Sequence, residues 1–272
     1  MARSQVEIEI VLLKQLASCL AMPMFVVGPE GDLVFFNEAI ESLLGLRFDE
    51  LGEVGLHAWP ETLRMTDESG ARVRDADRPV VAALETRRPA HRRVGVHGVD
   101  GVRREIAGTG IPLIAKDGRL LGALGLFWEP ESSWGAPRED LAGPHEVELI
   151  LMRRLAGYLA VPIFMVDAAG RLLDFNDAAE PIWGRSLKEV LSIARSDLYS
   201  TFQPSEEDGS PLKLDRHPVE IARLRREPAH RRFWIRGLDG VSRKVEATAM
   251  PLIGQSRRLL GAVGFFWELE ES

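Results

Sequence analysis

Arg119-Leu120-Leu121-Gly122-Ala123-Leu124-Gly125-Leu126-Phe127-Trp128-Glu129 returns later in the chain as Arg258-Leu259-Leu260-Gly261-Ala262-Val263-Gly264-Phe265-Phe266-Trp267-Glu268. The offset, 258 − 119 = 139 residues, has the size of a domain rather than of a solenoid repeat. Working outward, the same offset relates Pro89-Ala90-His91-Arg92-Arg93 to Pro228-Ala229-His230-Arg231-Arg232, and Asp100-Gly101 to Asp239-Gly240. It also relates Phe36-Asn37 to Phe175-Asn176, and Pro23-Met24-Phe25 to Pro162-Ile163-Phe164. Two copies of one fold therefore fill the sequence. Residues 1–130 form the first copy with its leading helix. Residues 131–144, rich in Pro, Gly, Ser and charge, read as a linker, and 145–272 form the second copy.

Each copy opens on an amphipathic helical pattern. Val6, Ile10, Leu13, Leu16 and Leu20 recur at three and four residues, as do Val147, Ile150, Leu151, Leu155 and Leu159. Pro23 and Pro162 end these helices, because a residue before proline avoids the α region. Strands follow at 24–27 and 163–166, then a turn at Gly31 or Gly170 and a second strand ending at Phe36 or Phe175. Asn37 and Asn176 stand where a helix begins and read as N-caps. Short helical pieces follow around 48–51 and 59–63, and Pro79 and Pro218 suit the first turn of a further helix. Three strand-like runs close each copy: 92–96, 104–111 and 120–128, or 231–235, 243–250 and 259–267. Gly98–Gly101 and Gly237–Gly240 form the first hairpin turns.

Asp+Glu outnumber Lys+Arg by 41 to 34, a balance that argues against a nucleic-acid partner. Cys19 is the only cysteine, so no internal disulfide or cysteine-rich metal site can form, and a cytoplasmic location is the simpler reading. The start carries glutamates in place of a signal-peptide core. Apolar runs such as 120–128 are far shorter than the roughly 20 residues of a membrane helix. Nucleotide, zinc-protease and nucleophile-elbow motifs are absent from the sequence.

The ordered landmarks resemble the PAS domain family. The carriers are Phe25-Val26-Val27 with Gly31, Phe36-Asn37-Glu38-Ala39, Asp100-Gly101 and the closing run 121–129. In the second copy they are Phe164-Met165-Val166 with Gly170, Phe175-Asn176-Asp177-Ala178, Asp239-Gly240 and 260–268. The resemblance implies an α+β fold in each copy: a five-stranded antiparallel sheet with short helices on one face around a pocket. It also implies an N-terminal flanking helix that often dimerises, and a sensing or partner-binding role.

Asp174 stands where the first copy has Phe35, so this position faces away from the core and Phe36 and Phe175 face inward. Strands 24–27 and 120–127 are nevertheless apolar on both faces, so the outer face needs a cover. The leading helix, from the same chain or a second copy, is the natural one. Val6, Ile10, Leu13, Val147, Ile150, Leu151 and Leu155 are its candidate dimer and relay residues. Small inner residues (Gly108, Gly110, Ala123 and Gly125; Ala247, Ala249, Ala262 and Gly264) either leave room for a ligand or let elements pack closely. A pocket would be lined by Phe25, Trp59, Leu63, Val94, Val96 and Ile106 in the first copy. In the second it would be lined by Phe164, Trp183, Leu198, Phe202, Phe233 and Ile235. It would suit an apolar or aromatic small molecule.

His91-Arg92-Arg93 and His230-Arg231-Arg232 read as a solvated strand edge pairing with acidic neighbours, with an anion or partner site as the alternative. His217 opens the helix where haem-binding relatives often place an iron ligand, but Arg78 replaces it in the first copy. The light-sensing branch needs a cysteine beside a flavin after the second strand. Cys19 precedes the first strand, which leaves at most a noncovalent flavin. No metal site and no catalytic constellation are expected. The function expected is a non-catalytic bacterial sensory module. It would bind a small ligand or a protein partner, form a homodimer through its flanking helices, and have no membrane or nucleic-acid partner. The alternative is a ligand-free adaptor.

Overall fold

The computed structural model describes residues 8–44, 47–48, 64–67, 69–97, 103–128, 147–193, 195–255 and 257–269. Val6, Trp59, Leu63, the first-copy turn 98–101 and the linker 131–144 lie outside them. The chain divides into two compact units, Met1–Ala136 and Pro137–Ser272.

In the first unit the entry helix Ile8–Cys19 precedes β1 (Met24–Val27), β2 (Leu33–Phe36), β3 (Arg64–Thr66), β4 (Ala90–His97), β5 (Arg103–Ile114) and β6 (Leu120–Trp128). The second unit repeats this with the entry helix Val147–Tyr158, then β7 (Ile163–Asp167), β8 (Leu172–Phe175), β9 (Ala229–Arg236), β10 (Ser242–Ile253) and β11 (Leu259–Glu268). The sheet orders are β2-β1-β6-β5-β4-β3 and β8-β7-β11-β10-β9, with every pairing antiparallel.

The expectation of five strands holds for the second sheet and is corrected for the first. There, three residues add a sixth strand against β4, with Thr66 opposite Gly95. The same pairing survives in the second unit as an isolated bridge between Ser205 and Trp234. The two sheets thus differ in how far this edge contact extends, not in topology.

Alternation sorts the strands as Asp174 suggested. Phe25, Val27, Phe36, Ala123 and Phe127 share one buried cluster on the inner face. Met24, Val26, Leu124 and Leu126 alternate with them on the outer face and are buried too. The first entry helix runs beside β1 and β2 and buries Leu12, Leu13, Leu16 and Ala17. Full burial of each leucine is worth about 1.5–3 kcal/mol before entropy costs. In the second unit the entry helix is pinned to β8 by Arg153 Nε against Asp174 Oδ2 at 2.6 Å.

The N-cap reading holds for Asn37, whose Oδ1 accepts from the Ile40 N–H at 3.3 Å, and is corrected for Asn176. Asn176 makes no side-chain capping bond to the turn that follows it. Its Oδ1 instead accepts from the Ile163 N–H (2.9 Å). Its Nδ2 donates to the carbonyls of Ala156 (3.0 Å), Leu159 (3.1 Å) and Val161 (2.8 Å). Asn37 does the same with Met24, Ala17, Leu20 and Met22 in addition to its cap. Each asparagine therefore ties the frayed end of the entry helix to the start of the first strand. Each also supplies donors to carbonyls of the chain that leaves the helix, Met22 or Val161 among them.

Pro79 and Pro218 open helices Pro79–Thr86 and Pro218–Arg225, as their fixed φ favours. Gly122 and Gly261 sit at matching register shifts with φ of 141° and 158°. A Cβ at either would collide with the carbonyl of Val27 or Val166.

Candidate functional site

The inner face of the second sheet and the short helices above it line a partly open cavity of about 610 Å³. Trp183 ends the helix Glu180–Trp183, where Gly184 adopts φ 74° and closes the turn. The β9–β10 hairpin fixes that end, since the Leu238 N–H donates to the Trp183 carbonyl at 2.9 Å. Arg243 grips Asp239 in the same turn at 2.6 Å and holds its carboxyl below the usual range. The indole stacks on Phe175 at 5.0 Å and meets the edges of Phe202 (4.7 Å) and Phe164 (5.6 Å). Helix Arg195–Phe202 brings Leu198, Tyr199 and Phe202 to the wall, and helix Pro218–Arg225 brings Pro218, Val219 and Glu220.

The polar side chains of the lining are few. Thr248 shares a 2.8 Å hydrogen bond with His230 Nδ1. Glu220 accepts from Arg223 at 2.5 Å, and Arg223 also donates to the Ala168 carbonyl. The Tyr199 hydroxyl is buried without a hydrogen-bond partner among the described residues, and burial, then Asp215 and Glu206, push its pKa up. His217 precedes Pro218, its ring between Tyr199 (6.4 Å) and Phe233 (5.3 Å). Burial lowers its pKa to about 4 against a smaller opposing pull from Glu220, so the imidazole is neutral near pH 7. Its ring nitrogens make no hydrogen bond to the described residues.

Family models of the PAS fold match residues 19–132 and 150–268, which together span most of the chain. The chain belongs to the PAS-fold family. PAS domains generally serve as sensory and signalling modules and are typically non-catalytic. Among solved structures, the PAS domain of Bordetella pertussis BvgS is similar at 24% identity, over 46% of this chain and 87% of that one, with a TM-score of 0.32. A PAS domain from Colwellia psychrerythraea is similar at 18% identity, over 44% of this chain and 96% of that one, with a TM-score of 0.33. An RNA-binding light-oxygen-voltage receptor is similar at 13% identity, over 91% of this chain and 95% of that one, with a TM-score of 0.35. No curated protein matches the chain.

The cavity of the second PAS domain brings together Phe164, Trp183, Leu198, Phe202, Phe233 and Ile235. In the first PAS domain Phe25, Val94, Val96 and Ile106 share one buried cluster. The described residues there frame a cleft of about 30 Å³, which touches Phe25 but not the other three. Arg78, at the place of His217, is buried and paired with Asp75. Both readings of the small residues find a place. Ala247 and Ala249 line the cavity, whereas a Cβ on Gly110 would strike the Pro79 backbone and one on Gly125 or Gly264 would strike the ring of Phe25 or Phe164.

Tyr199 and Glu220 line the cavity without having stood out in the sequence, and Phe266 of the closing repeat joins them. For Tyr199 a signal existed, since it lies next to Leu198 and one helical turn before Phe202. The His-Arg-Arg motifs meet acidic neighbours. Arg231 pairs with Glu206 at 2.7 Å, Arg232 with Glu246 at 2.8 Å and Arg92 with Asp77 at 3.7 Å.

The relay set divides. Leu13 and Leu155 are buried, Ile10 and Leu151 half-buried, and Val147 and Ile150 are 58% and 45% exposed. Cys19 ends the first entry helix, outside the cavity lining. Among the described residues that lining holds neither a cysteine nor an amide side chain. Among the described residues no cluster of three or more His, Cys, Asp and Glu could hold a metal ion. No helix there is long and apolar enough to cross a membrane.

Proposed function

We propose that the second PAS domain binds a small apolar or aromatic molecule, and that occupancy is relayed through the packing of the entry helices. The observation that carries this reading is the cavity of about 610 Å³, a volume usual for small-molecule sites and lined mainly by aromatic and aliphatic side chains. A ligand that favours one arrangement of wall and sheet shifts the population toward it, and a partner reads the result. The acidic balance and single thiol support a cytoplasmic protein without a nucleic-acid partner. A homodimer through the entry helices fits the exposed apolar positions that repeat at the same offset: Ile8 with Val147, and Val11 with Ile150.

Those repeated positions also favour a second reading, a ligand-free adaptor that works by protein contacts alone. The ultraviolet–visible spectrum and native mass of the purified protein separate the two. Extra mass or a chromophore lost in Trp183→Ala supports the sensor. Bare protein mass, with no small molecule taken up, supports the adaptor.

A further inference from the structure

The second-domain cavity is mainly apolar, and in its wall Tyr199 and His217 stand together, ring to ring at 6.4 Å. Buried polar groups are normally paired, because an unpaired one costs roughly 1–3 kcal/mol. Among the described residues the buried Tyr199 hydroxyl has no partner, and neither ring nitrogen of His217 is bonded. The other polar side chains of the lining are already engaged: Thr248 by His230, and Glu220 by Arg223. A buried phenol hydroxyl without a partner beside an unbonded, half-buried imidazole, in a wall built mainly of rings and aliphatic groups, asks for one small polar group on an apolar body.

Charge narrows the class further. An anion would find no guanidinium in the lining itself, since Arg223, whose buried Nε has no partner among the described residues, stands behind Glu220 and outside it. Arg223 is held by Glu220 and the Ala168 carbonyl, and Arg216 and Arg231 both face Glu206. Glu206, Asp215 and Glu220 all act on the Tyr199–His217 pair with negative potential. A cation would have to compete with Arg223 for Glu220, and the imidazole, neutral near pH 7, offers no compensating charge of its own. Burial of an unpaired charge in such a site is strongly unfavourable.

We infer that the second PAS domain takes an uncharged, mainly aromatic ligand carrying a hydroxyl or carbonyl oxygen, its rings against Trp183 and Phe202 and its oxygen between Tyr199 and His217. This rests on the cavity being a binding site, and it adds the charge state and the polar handle. A hydroxyl can donate to the acceptor nitrogen of the neutral imidazole while accepting from the phenol, and a carbonyl can accept from both.

The test is calorimetric titration of the full chain at pH 7 with four two-ring probes: 2-naphthol, naphthalene, 2-naphthoate and 2-naphthylmethylammonium. The expected order places 2-naphthol roughly tenfold tighter than naphthalene. Both charged probes are expected to bind at least about a hundredfold more weakly than 2-naphthol. Tyr199→Phe should cut the preference for 2-naphthol over naphthalene to roughly threefold, the His217 bond remaining, and leave naphthalene binding unchanged, which also shows that the variant is folded. Equal binding of naphthol and naphthalene, or tightest binding of either charged probe, would overturn the inference while leaving the cavity a binding site. A haem Soret band in the purified protein that His217→Phe abolishes would overturn it as well. If none of the four probes binds, the proposed function fails with it.

Discussion

At the scale of single residues, Asn176 binds four main-chain groups from three segments of the second domain. Alanine at this position leaves the Ile163 N–H and the three carbonyls without their partner in a place water does not reach. The expected loss for Asn176→Ala is about 2–4 kcal/mol, read as a lower urea midpoint with an unchanged slope. Asn176→Asp should be no better, because a carboxylate cannot donate to the three carbonyls. The sequence signalled that this side chain mattered but misassigned its work. An asparagine before a helix is a cap by local rules, and only the folded corner brings the end of the entry helix within its reach. Asp174 was legible for the opposite reason: a carboxylate cannot be buried alone, so its sequence position alone gave its face.

His217 gives the residue scale a pH dependence. Its pKa is lowered from about 6.5 in the unfolded chain to about 4 in the fold, so the unfolded state binds the extra proton between these values. Stability from this group is therefore complete above pH 6.5 and is lost as pH falls toward 4, by roughly 2–3 kcal/mol. Urea melts at pH 7, 5.5 and 4 should show this slope, and His217→Phe should flatten it. Glu246 adds a second, lower window. The His230 ring and the Arg232 guanidinium hold its pKa near 2, so its contribution is present above about 4.5 and fades between there and 2.

At the scale of elements, the entry helix has two faces with different work. Leu155 is buried and Ile150 exposed in one and the same helix. Leu155→Asp places a carboxylate in an apolar seam and should cost about 3 kcal/mol or more in a thermal or urea melt. Ile150→Asp should leave the melt within about 0.5 kcal/mol. If the exposed row is a dimer contact, Ile150→Asp also shifts the sedimentation profile toward monomer. A melt unmoved by Leu155→Asp would remove the basis for a helix-on-sheet relay. The heptad-like spacing named both residues together because periodicity reports an apolar stripe and not what lies on each side of it. Strand positions were more legible. Their alternation, the flanking glycines and the repetition of each run gave independent reasons for the same boundaries. The sixth strand escaped notice because a three-residue edge pairing leaves no periodic signal.

At the scale of the whole molecule, duplication supplied two copies of one topology and then let the interiors diverge. Leu44, Arg78, Gly108 and Gly110 in the first copy stand where the second has Trp183, His217, Ala247 and Ala249. The overall duplication is legible from the sequence, since each landmark recurs at one offset. The cavity is not, because the same small and aromatic residues can close a space or line it. Since each unit holds its own buried core, the interiors can be addressed separately in the intact chain. Differential scanning calorimetry should resolve two transitions, one lowered by Phe25→Ala and the other by Trp183→Ala. A saturating aromatic probe such as 2-naphthol should raise only the second. At a hundredfold excess over its Kd, mass action stabilises the binding unit by about 2.7 kcal/mol and leaves a non-binding unit where it was. Equal movement of both transitions would mean that the first interior binds as well, or that the units unfold as one. Repeating the scan in Trp183→Ala separates those cases: a first transition that still rises with the probe has a site of its own, and one that no longer rises was moved by coupling.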